Sequence, residues 1–349
     1  MTEEHLKKYI KKYLEGRCTE AEKALVETWY NNYDHSAYHL QIRAKKLKKI
    51  ITVAAIVLLI LTTGVYCFYK TIFPGIRGST VKKLTTISAG HNQAILLTAD
   101  GKKLNLSGKF PGIIIGKTNI SYINNQNHSI KISRGLNAMT VITPRGGQYQ
   151  VILPDGTKVW INADSKLSVG DRFGIDNRIV QLTGEAYFEV SNHAISPFKV
   201  LSAGQEIVVL GTSFNISSYD GENEITSLLK GSIKVHSASG AILLNPGEQT
   251  TNKNGLIHRQ TIGSNRVNAW KDGKFVFQNE SIYRIMKKIE RWYNVDIEFK
   301  GSFPNDTFGG SISRFSDITE VLKMLELTGQ VHFEIDSNNG GKIEVIPSK

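Results

Sequence analysis

The pattern of hydrophobic and polar positions changes several times along this chain, and each change predicts a different kind of structure. Apolar residues recur at helical spacing among lysines in residues 1–49. Residues 50–69 are a continuous apolar run without a charge, IITVAAIVLLILTTGVYCFY. Short alternating stretches broken by Gly, Asp, Asn and Pro fill residues 84–262 and predict strands and turns. From residue 268 onward, strand-like and helix-like stretches follow one another.

The apolar run predicts a transmembrane helix, because about twenty apolar residues span the roughly 30 Å hydrocarbon core of a bilayer. A cleavable signal peptide would place a shorter apolar core much nearer the N-terminus. Basic residues cluster before the run, whereas only Lys70 and Arg77 follow it, so the positive-inside rule places the N-terminus in the cytoplasm. A buried core helix, the alternative, would leave this cluster unexplained. The cluster consists of Arg43, Lys45, Lys46, Lys48 and Lys49.

We therefore expect a multi-domain protein that crosses the cytoplasmic (inner) membrane once. Residues 1–49 form a small α-helical cytoplasmic segment, residues 50–69 the transmembrane helix and residues 70–83 a linker. On the outer side of this membrane, residues 84–262 predict an all-β domain of solenoid-like or sandwich-like character. Residues 268–349 predict an α+β C-terminal domain.

Residues 1–49 begin with a pattern typical of a helical hairpin. Thr19, with Glu22 three residues later, forms a capping-box pattern that begins the second helix. Two short helices bury too little surface to be stable alone, so we expect their apolar stripe to contact a protein partner. A basic amphipathic helix on the inner leaflet is the alternative. The stripe residues predicted to make the contact are Leu6, Ile10, Tyr13, Leu25 and Trp29.

Two turn motifs punctuate the β-rich region. Asp100-Gly101 joins AILLTA to KKLNL, and Pro154-Asp155-Gly156 joins QYQVIL to TKVWINA. Glycine supplies the positive φ that such hairpin turns need. No helical period of useful length interrupts the short runs that follow, so the whole region is predicted to be all-β.

The C-terminal segment predicts the element order β-α-β-β-α-β-β. Its helices, Ser281–Tyr293 and Asp317–Thr328, carry apolar residues at helical spacing. Four basic residues fall on one exposed face of the first helix, and we call them the basic stripe. The stripe predicts a docking face for an acidic partner, with a solvated helix face as the alternative. It consists of Arg284, Lys287, Lys288 and Arg291.

Composition and charge narrow the function further. The net charge of +12 comes mainly from residues 70–269, and basic and acidic residues nearly balance in the C-terminal domain. A positive charge of this size could bind nucleic acid, but an exported domain rarely encounters nucleic acid, so we expect no direct nucleic-acid partner. Cys18 and Cys67 are placed on opposite sides of the membrane, so no disulfide is expected.

No residue set with catalytic or metal-binding chemistry stands out. Glu185 and Glu189 lie four residues apart on one predicted strand, which places their backbones roughly 13 Å apart. Glycosidase carboxyl groups lie closer together than that. His35 and His39 have the i, i+4 spacing of metal ligands but lack a third ligand nearby. We therefore predict no enzyme, no metal site and no cofactor.

Several long strings resemble the FecR family of membrane-bound anti-sigma regulators. The N-terminal string YLEGRCTEAEKALVETWY (13–30) resembles the family's cytoplasmic segment, which holds an extracytoplasmic-function sigma factor. Residues 270–299 resemble the family's C-terminal module, similar in element order to the signalling domains of TonB-dependent receptors. The strings between them are TPRGGQYQVILPDGTKVWINADSKL (143–167), RIVQLTGEAYFEVSNHAISPFKV (178–200), VVLGTSFNISSY (208–219) and LLKGSIKV with LNPGEQ (228–249).

The resemblance implies a transmembrane anti-sigma regulator. The apolar stripe would bind the sigma factor in the cytoplasm, and the basic stripe would meet the signalling domain of a TonB-dependent outer-membrane receptor. An intramembrane protease is a candidate partner for transmission, and the controlled genes would serve iron-siderophore or glycan uptake. Two alternatives stay open: a membrane-anchored β-solenoid that binds envelope polymer as a structural element, and a carbohydrate-active enzyme.

Overall fold

In the computed structural model the chain divides into two compact units, Met1–Val81 and Lys82–Lys349. The predicted transmembrane helix, residues 50–69, lies outside the residues that the structure describes. No helix among the described residues is long and apolar enough to cross a membrane. The structure describes residues 3–32, 87–116, 119–131, 138–175, 177–192, 196–262, 267–303, 307–336 and 341–348.

The first unit contains a helical hairpin, as the sequence predicts. Its helices are α1, Glu3–Leu14, and α2, Glu20–Asn32. The predicted capping box forms, because the Thr19 amide donates to the Glu22 carboxylate at 2.9 Å and the Glu22 amide donates to Thr19 Oγ1 at 3.3 Å. Of the described residues in this unit, Val26 alone is buried. The two helices therefore share only a very small buried apolar contact.

The second unit begins with an all-β region, which we call the β domain, and this confirms the prediction for its residues. It occupies residues 87–262 and contains strands β1 to β19 among the described residues. The strands are β1 His91–Asn92, β2 Ala94–Thr98, β3 Lys103–Leu106, β4 Gly112–Ile115, β5 Asn119–Tyr122, β6 Asn125–Lys131, β7 Met139–Thr143, β8 Gly147–Ile152, β9 Lys158–Ile161, β10 Ser165–Val169, β11 Arg178–Glu189, β12 Phe198–Leu201, β13 Gln205–Val209, β14 Ser213–Ser218, β15 Glu224–Lys230, β16 Ile233–Ser237, β17 Gly240–Leu244, β18 Glu248–Lys253 and β19 Leu256–Thr261.

These strands pair into two layers that share β11. One layer has the order β3-β2-β7-β10-β11-β12-β13-β16-β17. The other has the order β6-β5-β4-β8-β9-β11-β14-β15-β18-β19. Strand β11 passes from the first layer to the second at Gly184, which has a φ of 91°. A Cβ atom at Gly184 would lie 2.3 Å from Ser165 Oγ, so this crossing requires glycine.

One hydrophobic core takes side chains from both layers. Phe188 and Phe214 stack within it with ring centroids 4.9 Å apart. Both predicted hairpins form, since β2 pairs antiparallel with β3 and β8 with β9. In the second hairpin, Asp155 of the Pro-Asp-Gly turn makes a buried ion pair with Arg178 at 2.7 Å. The turn motif is thereby fixed to the start of β11.

The rest of the unit, residues 267–348, forms what we call the C-terminal module. Its element order β-α-β-β-α-β-β confirms the prediction. Strands β20 and β22 pair with each other, and β21, β24 and β23 form a second sheet in that order. Both helices bury an apolar face in the module's core. The elements are β20 Lys274–Ser281, α3 Ile282–Tyr293, β21 Asp296–Phe299, β22 Thr307–Ser313, α4 Ile318–Glu326, β23 Val331–Asp336 and β24 Lys342–Pro347.

The helix ends differ slightly from the predicted ones because the capping residues stand outside the helices. Ser281 and Asp317 are N-caps, and the Asp317 carboxylate accepts from the Thr319 amide. Helix α4 ends at Glu326, before the predicted Thr328, because the chain turns at Gly329 with a φ of 72°.

Candidate functional site

The hairpin brings the predicted apolar stripe together only in part. Leu6, Ile10 and Trp29 are half-buried, whereas Tyr13 and Leu25 are exposed by 39% and 51%. The residue that packs most closely is Val26, which the predicted stripe omitted. The helices of the hairpin therefore meet along a line one residue away from Leu25, and Leu25 faces outward.

Four large apolar side chains of the hairpin are exposed, and we call them the hairpin patch. Leu14 is exposed by 80% and Tyr30 by 64%, in addition to Tyr13 and Leu25. Large apolar side chains exposed on a hairpin that buries so little make these positions candidates for a protein contact. The predicted contact residues do not include Tyr30, although it directly follows Trp29 in the sequence.

Polar contacts also join the two helices of the hairpin. Lys12 Nζ of α1 lies 2.6 Å from Glu22 Oε1 of α2, and the Tyr13 hydroxyl donates to Glu27 at 3.3 Å. The hydrogen bond from Lys12, together with those from Thr19, lowers the pKa of Glu22 to about 2. Glu22 is thus shared between the cap of α2 and the contact with α1.

In the second unit, the basic stripe of α3 lies partly against the β domain. Arg291 Nη1 lies 2.6 Å and Lys287 Nζ 3.5 Å from Glu222, in the turn between β14 and β15. Lys288 instead pairs at 2.7 Å with Glu280 of β20, inside the module. Arg284 is exposed and makes no ion pair with any residue that the structure describes.

Five residues form a closed ring of hydrogen bonds where the β domain meets the C-terminal module, and we call it the Glu185 ring. The Glu185 carboxylate in β11 accepts from Asn162 Nδ2 at 2.7 Å and from Asn215 Nδ2 at 2.9 Å. Asn162 Oδ1 accepts from Arg314 Nη2 at 2.9 Å. Asn215 Oδ1 accepts from Trp270 Nε1 at 3.0 Å. Arg314 Nη1 donates to the backbone carbonyl of Trp270 at 2.9 Å, which closes the ring.

The ring sets the orientation of both asparagine amides. Each amide oxygen faces a donor of the module, and each amide nitrogen faces Glu185. Asn162, Asn215 and Arg314 are buried, so a broken ring bond would leave a buried polar group without a partner. The ring therefore joins the two parts of this unit through bonds that depend on one another.

Arg314 brings a buried positive charge to the ring. Its guanidinium lies 3.4 Å from the centroid of the Trp292 ring, and Trp292 Nε1 donates to the backbone carbonyl of Arg314 at 2.6 Å. Burial lowers the pKa of Arg314 to about 9, while the carboxylate of Glu185 favours its charged form. The arginine is thus still charged at neutral pH.

A second contact between the β domain and the module caps the C-terminal end of α3. Arg145, in the turn between β7 and β8, donates to the carbonyl oxygens of Glu290 and Val295 and pairs with Asp296 at 3.0 Å. The Gly146 amide donates to the carbonyl of Arg291 at 2.7 Å. A cation and an amide donor at a helix C-terminus satisfy its unpaired carbonyls and its dipole.

A cleft of about 640 Å³ lies beside the ring, between the β domain and the module. Its lining is mostly polar and includes Ser227 and Gln249 of the β domain, and Gln278 and Arg284 of the module. Within the described part of the chain, no group of His, Cys, Asp and Glu could hold a metal ion. His35 and His39 lie outside the described residues.

Sequence reasoning missed the Glu185 ring. The spacing of Glu185 and Glu189 in the sequence addresses only a carboxylate pair, whereas the structure gives Glu185 a ring partner on each oxygen and places Glu189 outside the ring. The available signal was the polar residues inside otherwise apolar strand strings, INADS, GEAYFEV and SFNIS. Such residues indicate buried hydrogen bonds, but not which distant residues supply the partners.

Comparison with known proteins gives matches in both parts of the second unit. The family model of the FecR protein matches residues 139–234, and that of the FecR C-terminal domain matches residues 274–343. Two crystal structures of a candidate anti-sigma factor from Parabacteroides distasonis ATCC 8503, at 1.65 and 2.50 Å resolution, are each 27% identical to the chain. The first has a TM-score of 0.56 and covers 60% of this chain and 99% of its own. The second has a TM-score of 0.55, with 61% and 100% covered. No curated protein matches the chain.

Proposed function

Because this chain belongs to the FecR family of anti-sigma factors, we propose that its hairpin binds and sequesters an extracytoplasmic-function sigma factor. The observation that carries this proposal is the hairpin patch. Tyr13, Leu14, Leu25 and Tyr30 expose apolar surface on two helices that bury very little between themselves. A sigma factor that covers the patch would supply the core that the hairpin lacks.

The wider proposal is a relay across the cytoplasmic membrane. Residues 50–69 would span the bilayer with the N-terminus inside, as the charge pattern around them favours. The β domain and the C-terminal module would then face the periplasm and receive a signal from a TonB-dependent outer-membrane receptor, controlling uptake genes. An intramembrane protease is a candidate for the step in the membrane. Labelling of Cys18 by an impermeant thiol reagent in intact cells would contradict this orientation.

The test of sigma-factor binding is the substitution Leu25→Asp in the full chain. The exposed leucine contributes little to the fold of the hairpin, so the variant should keep its helices but lose copurification of the sigma factor expressed with it. Transcription of the controlled genes should then rise without inducer.

The matched control is Ala24→Asp, which places the same charged side chain on the neighbouring exposed position of α2. It should retain the sigma factor, because the hairpin patch stays intact. Equal recovery of the sigma factor with wild type, Leu25→Asp and Ala24→Asp would show that the hairpin patch is not part of the binding surface.

A further inference from the structure

Part of the basic stripe is occupied by an acidic side chain of this same chain. Glu222 of the β domain engages Arg291 at 2.6 Å and Lys287 at 3.5 Å. It stands where an acidic residue of a partner would stand. The pair between Lys288 and Glu280 is different, because both residues belong to the C-terminal module. Of the four stripe residues, Arg291 is therefore the one that the β domain covers, whereas Lys287 stays 47% exposed beside Glu222.

Arg291 is connected to the Glu185 ring through Tyr219. The guanidinium of Arg291 lies 3.7 Å from the centroid of the Tyr219 ring. The Tyr219 hydroxyl donates to the carbonyl of Ala163 at 2.8 Å, and Ala163 directly follows the ring member Asn162. Arg291 is only 15% exposed in this position. Opening of the ring at Asn162, together with release of the Arg291 carbonyl from the Gly146 amide, would separate Arg291 from Tyr219.

We propose that the Glu185 ring is a latch that holds Arg291 of the basic stripe closed against Glu222, and that its opening makes Arg291 available to an acidic protein surface. The latch is an autoinhibitory contact within the chain. The identity of that surface as the receptor's signalling domain rests on the proposed function, whereas the latch itself rests on the contacts between the β domain and the module.

Because the ring is closed, its hydrogen bonds should contribute to stability cooperatively. Each amide can donate to Glu185 only while its oxygen faces the module, so every bond supports its neighbours. Once one hydrogen bond is lost, the remaining hydrogen bonds no longer form a closed ring. Loss of a second bond should then lower the stability of the closed form only slightly more. Independent contacts would instead contribute additively.

The first test measures how fast phenylglyoxal modifies Arg291 in the full chain. Glu185→Gln keeps the shape of the side chain but turns an N–H group toward one asparagine amide, which opens the ring. We expect modification of Arg291 to accelerate about tenfold, the shift in an opening equilibrium that loss of one buried hydrogen bond produces. Arg284, exposed on the same helix, is the internal control and should react equally in all variants.

The matched control variant is Glu189→Gln, which makes the same chemical change four residues further along β11 and outside the ring. It should leave Arg291 protected. Trp270→Phe opens the ring at another bond, since it removes the indole N–H that donates to Asn215, together with part of the aromatic system, and should match Glu185→Gln. The double variant should accelerate modification no more than the stronger single variant. Accelerations that multiply in the double variant would overturn the closed latch.

A distance measurement separates opening from local rearrangement. Residues 82–349 contain no cysteine, so spin labels at Lys103→Cys and Lys323→Cys, with Cys18 and Cys67 changed to serine, report the β domain and the module alone. Glu185→Gln should lengthen or broaden this distance while both parts of the unit stay folded. An unchanged distance together with a protected Arg291 would refute the latch, whatever the outcome of the sigma-factor experiment.

Discussion

The hairpin and the Lys82–Lys349 unit use polar contacts in opposite ways. In the hairpin, the capping box and the Lys12–Glu22 pair hold two helices whose apolar side chains stay largely exposed. In the second unit, large aromatic side chains such as Phe188 and Phe214 are fully buried, and polar side chains such as Glu185 find partners within the unit. A partner of the hairpin would complete a structure, whereas a partner of the basic stripe would have to displace contacts that already exist.

This difference predicts where substitutions act most strongly. The second unit has extensive cores, so a change in its backbone geometry should lower global stability. The hairpin has one buried side chain among its described residues, so a change there should act locally and weakly.

The largest effect is expected for Gly184→Ala at the crossing of β11 between the two layers. The residue has a φ of 91°, and the new Cβ would lie 2.7 Å from the Cα of Ser165, which cannot move as a side chain can. Backbone strain and overpacking should together destabilise the unit by about 3 kcal/mol. Urea unfolding followed by tryptophan fluorescence measures this change.

Gly170→Ala is the control for that substitution, because a Cβ there would meet no atom within 4 Å. It should change the free energy of unfolding by less than about 0.5 kcal/mol. Similar unfolding midpoints for the two variants would show that the crossing does not depend on glycine. The expected difference between the two units in their response to substitution would then weaken.

Local patterns predicted most of the fold. The capping box at Thr19, the glycine turns and the apolar faces of α3 and α4 each depend on residues close in sequence, and each of these forms. The all-β character of residues 84–262 follows from alternation in the same way. The sharing of β11 between two layers could not be predicted, because it depends on strands that pair across long sequence separations.

The candidate sites were predicted less well, for the same reason. Helical periodicity placed the basic stripe on one face of α3, but it could not show that Glu222, about 70 residues earlier in the sequence, faces Arg291. Likewise, the Glu185 ring joins Asn162 to Arg314 across the whole unit. Hydrogen bonds of this kind depend on tertiary geometry, which leaves no periodic signal in the sequence.

A smaller effect is expected for Thr19→Ala in the hairpin. The substitution removes the side chain that accepts from the Glu22 amide, and loss of such a cap costs about 1 kcal/mol. Amide hydrogen exchange in α2 should accelerate roughly fivefold, while exchange in the second unit stays unchanged. Thr28→Ala is the control, since the Thr28 hydroxyl only donates to the Ala24 carbonyl within the helix. Equal exchange in both variants would argue against the cap.

The smallest effect is the response of the hairpin to acid, which depends on Glu22. Its pKa in the folded chain is about 2, against an ordinary value of 4.5, because Lys12 and Thr19 stabilise the charged carboxylate. A lowered folded pKa adds stability above pH 4.5, and this stability is lost as the pH falls toward 2. The nuclear magnetic resonance signal of the Thr19 amide, which donates to Glu22, should therefore shift in this window. Because the pair lies at the surface, added salt should weaken the effect. Glu22→Gln keeps a capping side chain that cannot titrate and should abolish the shift, so identical acid titrations of the two proteins would disprove the role of Glu22.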